Sequence, residues 1–287
     1  MMAAPYLPFG LGRMVRLPQK MTPGKAIETG GFVFLFVWEA LAAIPSTLRR
    51  YRPQTMRMIT DLTWGRGSVI VGGGTVPVLV IMGIAIGAGV GIQGYTALNM
   101  VGLGPLTGVI SAFANTRELA PIVAAVGFAG QAGCRMTAEI GSMRISEEID
   151  ALESLGLRSI PFVVTTRIIA GAITVVPTFL VTLLLSYLSC SAMVLVVHGQ
   201  SVGVYNHYFF QFVNLHDIVA ATVKILVFSV VIILIHCYYG FFATGGPEGV
   251  GVASGHAVRA SFIAIITLDM ALTVLLWGLN SSITFTG

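Results

Sequence analysis

Glu147, Glu148, Asp150 and Glu153, four of the chain's twelve acidic residues, cluster at 147–153 within the stretch AEIGSMRISEEIDALESLGL, from Ala138 to Leu157. Carboxylates this close repel one another unless water or a basic surface faces them. Between them Ile145, Ile149 and Leu152 recur at three- and four-residue intervals. That spacing predicts an amphipathic helix over about 138–157, with Ser146 followed by Glu148 as a start signal. An acidic rim around apolar anchors is the chemistry of docking into a basic groove on a cytoplasmic partner. The other reading is a helix lying flat on the membrane, which four acids suit less well than basic side chains would.

A second constellation is sparser. Arg117 and Glu118 are adjacent in Thr116-Arg117-Glu118-Leu119-Ala120-Pro121, at the mouth of an apolar run, while Lys224 and Asp269 each interrupt another. Charges in such places are costly, so they pair, line a cavity or carry ions; an interfacial Arg reaching water is the alternative. Lys224 and Asp269 lie on different helices, and spacing within one helix does not say whether they meet. Catalytic signals are missing. No G-x-x-x-x-G-K-[ST] is present to cradle nucleotide phosphates, and Gly249, Gly251 and Gly255 follow no strand pattern. The five histidines lack metal-ligand spacing, and Cys134, Cys190 and Cys237 read as small buried hydrophobes. We therefore expect no enzyme, no metal, no bound cofactor and no nucleic-acid partner.

The elements that hold these residues follow from composition. Of 287 residues, 55% are apolar and 10% charged, with a mean hydropathy of +0.88. Soluble domains carry roughly 25% charged residues, so a water-facing fold is excluded, as are disorder and a disulfide scaffold. A crossing helix needs about 20 mostly apolar residues. Five stretches qualify, at about 68–92, 117–135, 161–197, 218–242 and 258–279. The expectation is an all-α polytopic membrane protein, with residues 68–287 as one domain behind a basic cytoplasmic segment, 1–67. The stretch from Phe32 to Ile44, broken by Glu39 and closed by Pro45, reads as an interfacial or elbow helix. Gly72-Gly73-Gly74 reads as a bend at the membrane edge.

Nine Lys or Arg lie in residues 1–67, and Arg135, Arg144, Arg158 and Arg259 add to the same side, whereas the connections at 93–116 and 198–217 contain none. By the positive-inside rule the N-terminus is cytoplasmic and, after five crossings, the C-terminus is outside. No cleavable signal peptide is expected. Gly83, Gly87 and Gly91 in the first span stand four apart, which permits close helix or subunit packing, or reflects simple tolerance of glycine in a membrane helix.

Three of these segments together resemble the MlaE/YrbE permeases: GQAGCRMTAEIGSMRISEEIDALESL from Gly130, Arg117-Glu118-Leu119-Ala120-Pro121, and YGFFATGGPEGVG from Tyr239. The likeness covers roughly residues 45–280, and Gln131 departs from the family's usual Arg. The resemblance implies a permease subunit of an ABC-type transporter in the plasma membrane that moves hydrophobic lipids inward and is powered by a separate ATPase dimer using ATP and Mg. It further implies a second, unlike permease as partner, extracytoplasmic MCE proteins, and a lipid of the fatty-acid, mycolic-acid or sterol class. Among relatives it looks most like mycobacterial-type YrbE proteins of the B kind. Under this likeness Glu139, Arg144, Ile145, Glu147, Glu148, Ile149, Asp150 and Leu152 would couple to the ATPase. Arg117 and Glu118 would lie near the lipid pathway, and Gly83, Gly87 and Gly91 on a packing face. An ion-coupled carrier using Lys224, Asp269 and Glu118, or a passive scaffold for extracytoplasmic partners, are the alternatives.

Overall fold

The computed structural model describes residues 23–65 and 74–278, with side chains from Gly31 onward. Gly72 and Gly73 of the expected bend, and the tail after Leu279, lie outside the described residues. The chain is all helical, with no strand element among the described residues. In order the helices are α1 (Pro23–Ala42), α2 (Ile44–Arg50), α3 (Arg52–Trp64), α4 (Thr75–Asn99), α5 (Gly104–Ile145), α6 (Glu148–Ser154), α7 (Pro161–Val196), α8 (Val202–Phe212), α9 (Leu215–Phe241) and α10 (Gly246–Trp277). Five of them, α4, α5, α7, α9 and α10, are long and apolar enough to cross a bilayer. A bend of 45° separates Gly31–Ala42 of α1 from α2 and makes the elbow.

Several boundaries differ from the sequence expectation, among them that of α10, which begins at Gly246 rather than 258. α4 begins at Thr75 rather than about 68, and α5 begins at Gly104 rather than 117 and continues to Ile145. Residues 104–116 are rich in Gly, Ser, Thr and Asn, so hydropathy alone does not mark them as a span. Packing supplies what composition lacks. Gly108 meets the backbone of Tyr205 and Phe209 in α8, where an added Cβ would come within 2.6 Å of the Tyr205 carbonyl. α5 also contains two wide-turn π segments, Ser111–Leu119 and Ala129–Gly133, a geometry that often marks functional positions in helices. The Tyr239–Gly251 loop motif partly folds into the first turns of α10, with Pro247 in the opening turn where its missing N–H costs nothing.

The closest pairing joins α4 to α7. Gly83, Gly87 and Gly91 are buried and face Thr182, Ser186 and Cys190, which repeat at the same spacing. A Cβ on Gly83 would stand 2.6 Å from the Thr182 carbonyl oxygen, one on Gly91 2.8 Å from that of Cys190, and one on Gly87 would run into the Ser186 backbone. The seam is therefore within one chain, where small residues let two backbones approach. Ser189 Oγ donates to Ile84 O across it at 2.8 Å. The core beside this seam is built from Phe128, Met136 and Ile140 of α5, Phe179 of α7, and Ile225, Phe228 and Ile232 of α9, all fully buried.

Two ends result. One holds α2, α3, α6 and the turn between α9 and α10. The other holds the α4–α5 turn, α8 and the end of α10, where Trp277 Nε1 donates to Asp217 at the start of α9.

Candidate coupling surface and buried charge cluster

At the first end, α5 does not run on as one amphipathic helix to Leu157. It stops at Ile145, and α6 restarts at Glu148 after a turn at Ser146 and Glu147. Glu147 sits in the left-handed region, at φ 59°. The break has a packing cause. In a continuous helix Ile145 and Ile149 would share a face. Here Ile145 is 40% exposed while Ile149 is fully buried and Leu152 packs on the same core. Ile149 and Leu152, expected as anchors for a partner, thus anchor α6 to its own chain.

What α6 and its flanking residues present outward is Ile145, Glu147, Glu148, Asp150 and Leu155, the last 77% exposed. Asp150 accepts from Arg144 at 2.8 Å, and Glu148 accepts from Ser146 Oγ at 3.1 Å. Glu153 is turned inward, accepting a hydrogen bond from buried Ser159. Burial pushes its carboxyl above the usual range, and the Ser159 hydroxyl draws it partly back. Glu139 also departs from its expected outward role. Its carboxylate lies 2.9 Å from Arg135 and 3.3 Å from Arg167. Those arginines in turn donate to Asp61 O and Val163 O, so the group clamps α3, α5 and α7 together. Arg167, 6% exposed inside α7, was legible as a charge within an apolar run.

Toward the other end the scattered charges of the sequence meet. α5 starts earlier than hydropathy suggests, so Arg117 and Glu118 lie inside the helix and not at its mouth. Lys224, fully buried on α9, donates to Arg117 O at 2.9 Å, Glu118 Oε2 at 2.9 Å and Thr273 Oγ1 at 2.7 Å. Those contacts use its three protons. Asp269 Oδ1 stands 2.7 Å away as an ion pair without a hydrogen bond. Thr273 Oγ1 donates to Glu118 Oε1 at 2.8 Å, closing a ring among α5, α9 and α10.

Arg117 points the other way. Its guanidinium bonds Asp217 at 2.9 Å and lies over the Phe113 ring at 3.7 Å from its centre. Trp277 fills the remaining side of Asp217 at 2.7 Å. Asp217, Thr273 and Trp277 were not singled out in the sequence, because each sits at an ordinary helix end or one turn from it. The adjacent wide-turn segment is tied to α7 by Asn115 donating to Ser186 Oγ and by Thr116 paired with Tyr187. Arg117 and Glu118 thus occupy the part of α5 with the least regular backbone. Among the described residues no group of His, Cys, Asp and Glu is arranged to hold a metal.

Comparison with known proteins adds a framework. The family model described as "Permease MlaE" matches residues 65–275. A probable ABC transporter permease protein of Rickettsia typhi is 30% identical over 221 residues, which are 74% of this chain and 82% of that protein. The intermembrane phospholipid transport system permease protein MlaE of Haemophilus influenzae is 27% identical over 202 residues, 70% of this chain and 77% of that protein. The chloroplastic protein TRIGALACTOSYLDIACYLGLYCEROL 1 of Arabidopsis thaliana is 31% identical over 182 residues, 63% of this chain and 52% of that protein.

Proposed function

The chain belongs to the MlaE permease family, and from that premise we propose that it is the membrane-spanning subunit of an ATP-driven transporter of hydrophobic lipids. A separate ATPase dimer supplies the ATP and Mg chemistry, for which this sequence has no phosphate-binding loop. The observation that carries the reading is α6. It is a short acidic element, fixed from behind by Ile149 and Leu152 and continuous through one turn with the spanning helix α5. A push on its outer face is transmitted to α5 and, through the Glu139 clamp, to α3 and α7. The named relatives that transport phospholipid or are ABC permeases support the same reading. The finer assignments are import, an unlike permease partner of YrbE type, MCE proteins outside, and a fatty-acid, mycolic-acid or sterol cargo. They follow from the motif resemblance. Arg117 and Glu118 are assigned beside the lipid pathway because Glu118 keeps 34% of its side chain exposed within the bundle.

The test is the double change Glu147→Lys with Glu148→Lys, which spares the Arg144–Asp150 pair. Co-purified ATPase should fall at least about tenfold while the chain still inserts and keeps its unfolding midpoint. Undiminished ATPase in that preparation would remove α6 as the docking surface. An ion-coupled reading has the Lys224–Glu118–Asp269 geometry in its favour. It requires lipid movement in proteoliposomes without ATP, and abolition of movement by ATP omission would exclude it.

A further inference from the structure

The elbow between α1 and α2 and the loop that follows α6 enclose a cavity of about 510 Å³, apart from both the outer face of α6 and the charge cluster. Trp38 and Glu39 line it from the last turns of α1, Ser46 and Arg50 from α2, Tyr51 from the α2–α3 junction and Arg158 from the loop. Its walls are fastened from behind. Thr165 Oγ1 donates to Ala40 O at 2.8 Å, and the Tyr51 ring stands edge-on to Phe162 at 5.3 Å. The elbow is therefore held against α7 and its opening is a built feature of the fold.

The lining is bipolar. Burial pushes the Glu39 carboxyl above its usual range and the Arg158 charge draws it partly back, with no salt bridge joining the two. Arg50 lies 6.0 Å from the centre of the Tyr51 ring. Two guanidiniums suit a phosphodiester, which they grip through paired N–H donors. A half-buried carboxylate in a lining that includes Trp38 and Tyr51 suits an ammonium, through charge and through the aromatic faces. A single chemical group carries both charges a short spacer apart, and its surroundings point to the membrane surface. Trp38 and Phe34 are 65% and 66% exposed on α1, and Arg49, Arg50 and Arg52 follow on α2 and α3. Exposed aromatics next to basic residues are the pattern of a helix at headgroup depth.

We propose that the α1–α2 elbow binds the headgroup of a zwitterionic, amine-bearing phospholipid. The phosphate is held by Arg50 and Arg158, the ammonium by Glu39. The bound lipid fastens the elbow to the loop leading out of α6. This is a surface site independent of the transport pathway, and it stands whether or not the permease reading holds.

The full-length chain in nanodiscs of equal phosphatidylethanolamine and phosphatidylglycerol tests it, with retained lipid read by native mass spectrometry. Wild type should keep one phosphatidylethanolamine in preference to phosphatidylglycerol by about tenfold, the worth of one charge-assisted hydrogen bond. Glu39→Gln should abolish that preference, Glu39→Lys should reverse it, and Arg50→Gln with Arg158→Gln should lower retention of both lipids about tenfold. Equal retention in wild type and all elbow variants overturns the proposal. So does binding of free glycerophosphoethanolamine with no lipid retained, which would make the ligand a soluble phosphodiester.

Discussion

Lys224 carries the largest single-residue consequence. Its ammonium is fully buried and is the cation shared by Glu118 and Asp269. Removing one partner from a buried charged group leaves the others uncompensated, at a cost of about 3–5 kcal/mol. Lys224→Met should therefore lower the unfolding midpoint sharply in detergent-purified protein. The triple change with Glu118→Gln and Asp269→Asn should recover most of that loss, because the uncompensated charges go with the lysine. Additive losses in the triple variant would show that the three side chains are not one electrostatic unit. At Glu147 the sign is reversed. A left-handed residue other than glycine costs roughly 1 kcal/mol, so Glu147→Gly should raise stability by up to about that amount in a thermal melt.

At the scale of elements, the α4–α7 seam separates glycines that are needed from glycines that are only tolerated. Gly87 faces the Ser186 backbone, whereas a Cβ on Gly89, two residues on, meets nothing within 4 Å. Gly87→Ala should cost about 1–3 kcal/mol through overpacking. Gly89→Ala should be neutral or stabilising by up to about 1 kcal/mol. Paired denaturant titrations of the two variants check this, and equal effects would mean that the seam is looser than its geometry. The same scale explains α6. The periodicity over 138–157 predicts one helix, but periodicity carries no phase reference. The break at Ser146 and Glu147 rotates Ile149 and Leu152 into the core, and no spacing rule distinguishes that from an outward anchor.

For the whole molecule, the basic residues outside the buried charge cluster partition by end. Arg49, Arg50, Arg52, Arg57, Arg144 and Arg158 stand at the end with α6, and none lies in the connections at 93–116 or 198–217. The expected orientation puts α6 in the cytoplasm. Leu155→Cys, at 77% exposure, should react with a membrane-impermeant maleimide only after permeabilisation, and Val197→Cys, at 57%, should react in intact cells. The reverse pattern would invert the topology. Background labelling should be small, since Cys190 and Cys237 are buried and Cys134 only partly exposed.

Composition and the placing of charges were enough for the all-helical membrane architecture, the number of crossings, the elbow and the acidic element at the basic end. Burial in lipid is an area effect summed over whole helices, and each crossing helix carries its own signal. Contacts between helices are a different matter. That Lys224 reaches Glu118, Thr273 and Asp269, that Glu139 turns to Arg167, and that the Gly83 stripe meets Thr182, Ser186 and Cys190, depends on helix rotation and depth. Sequence spacing within one helix does not encode either quantity relative to another helix. The start of α5 shows the same limit, because Gly104 to Thr116 has little hydropathy signal of its own and packs on α4 and α8. Local chemistry decides which helices exist, and packing of several helices at once decides which faces and which charges meet.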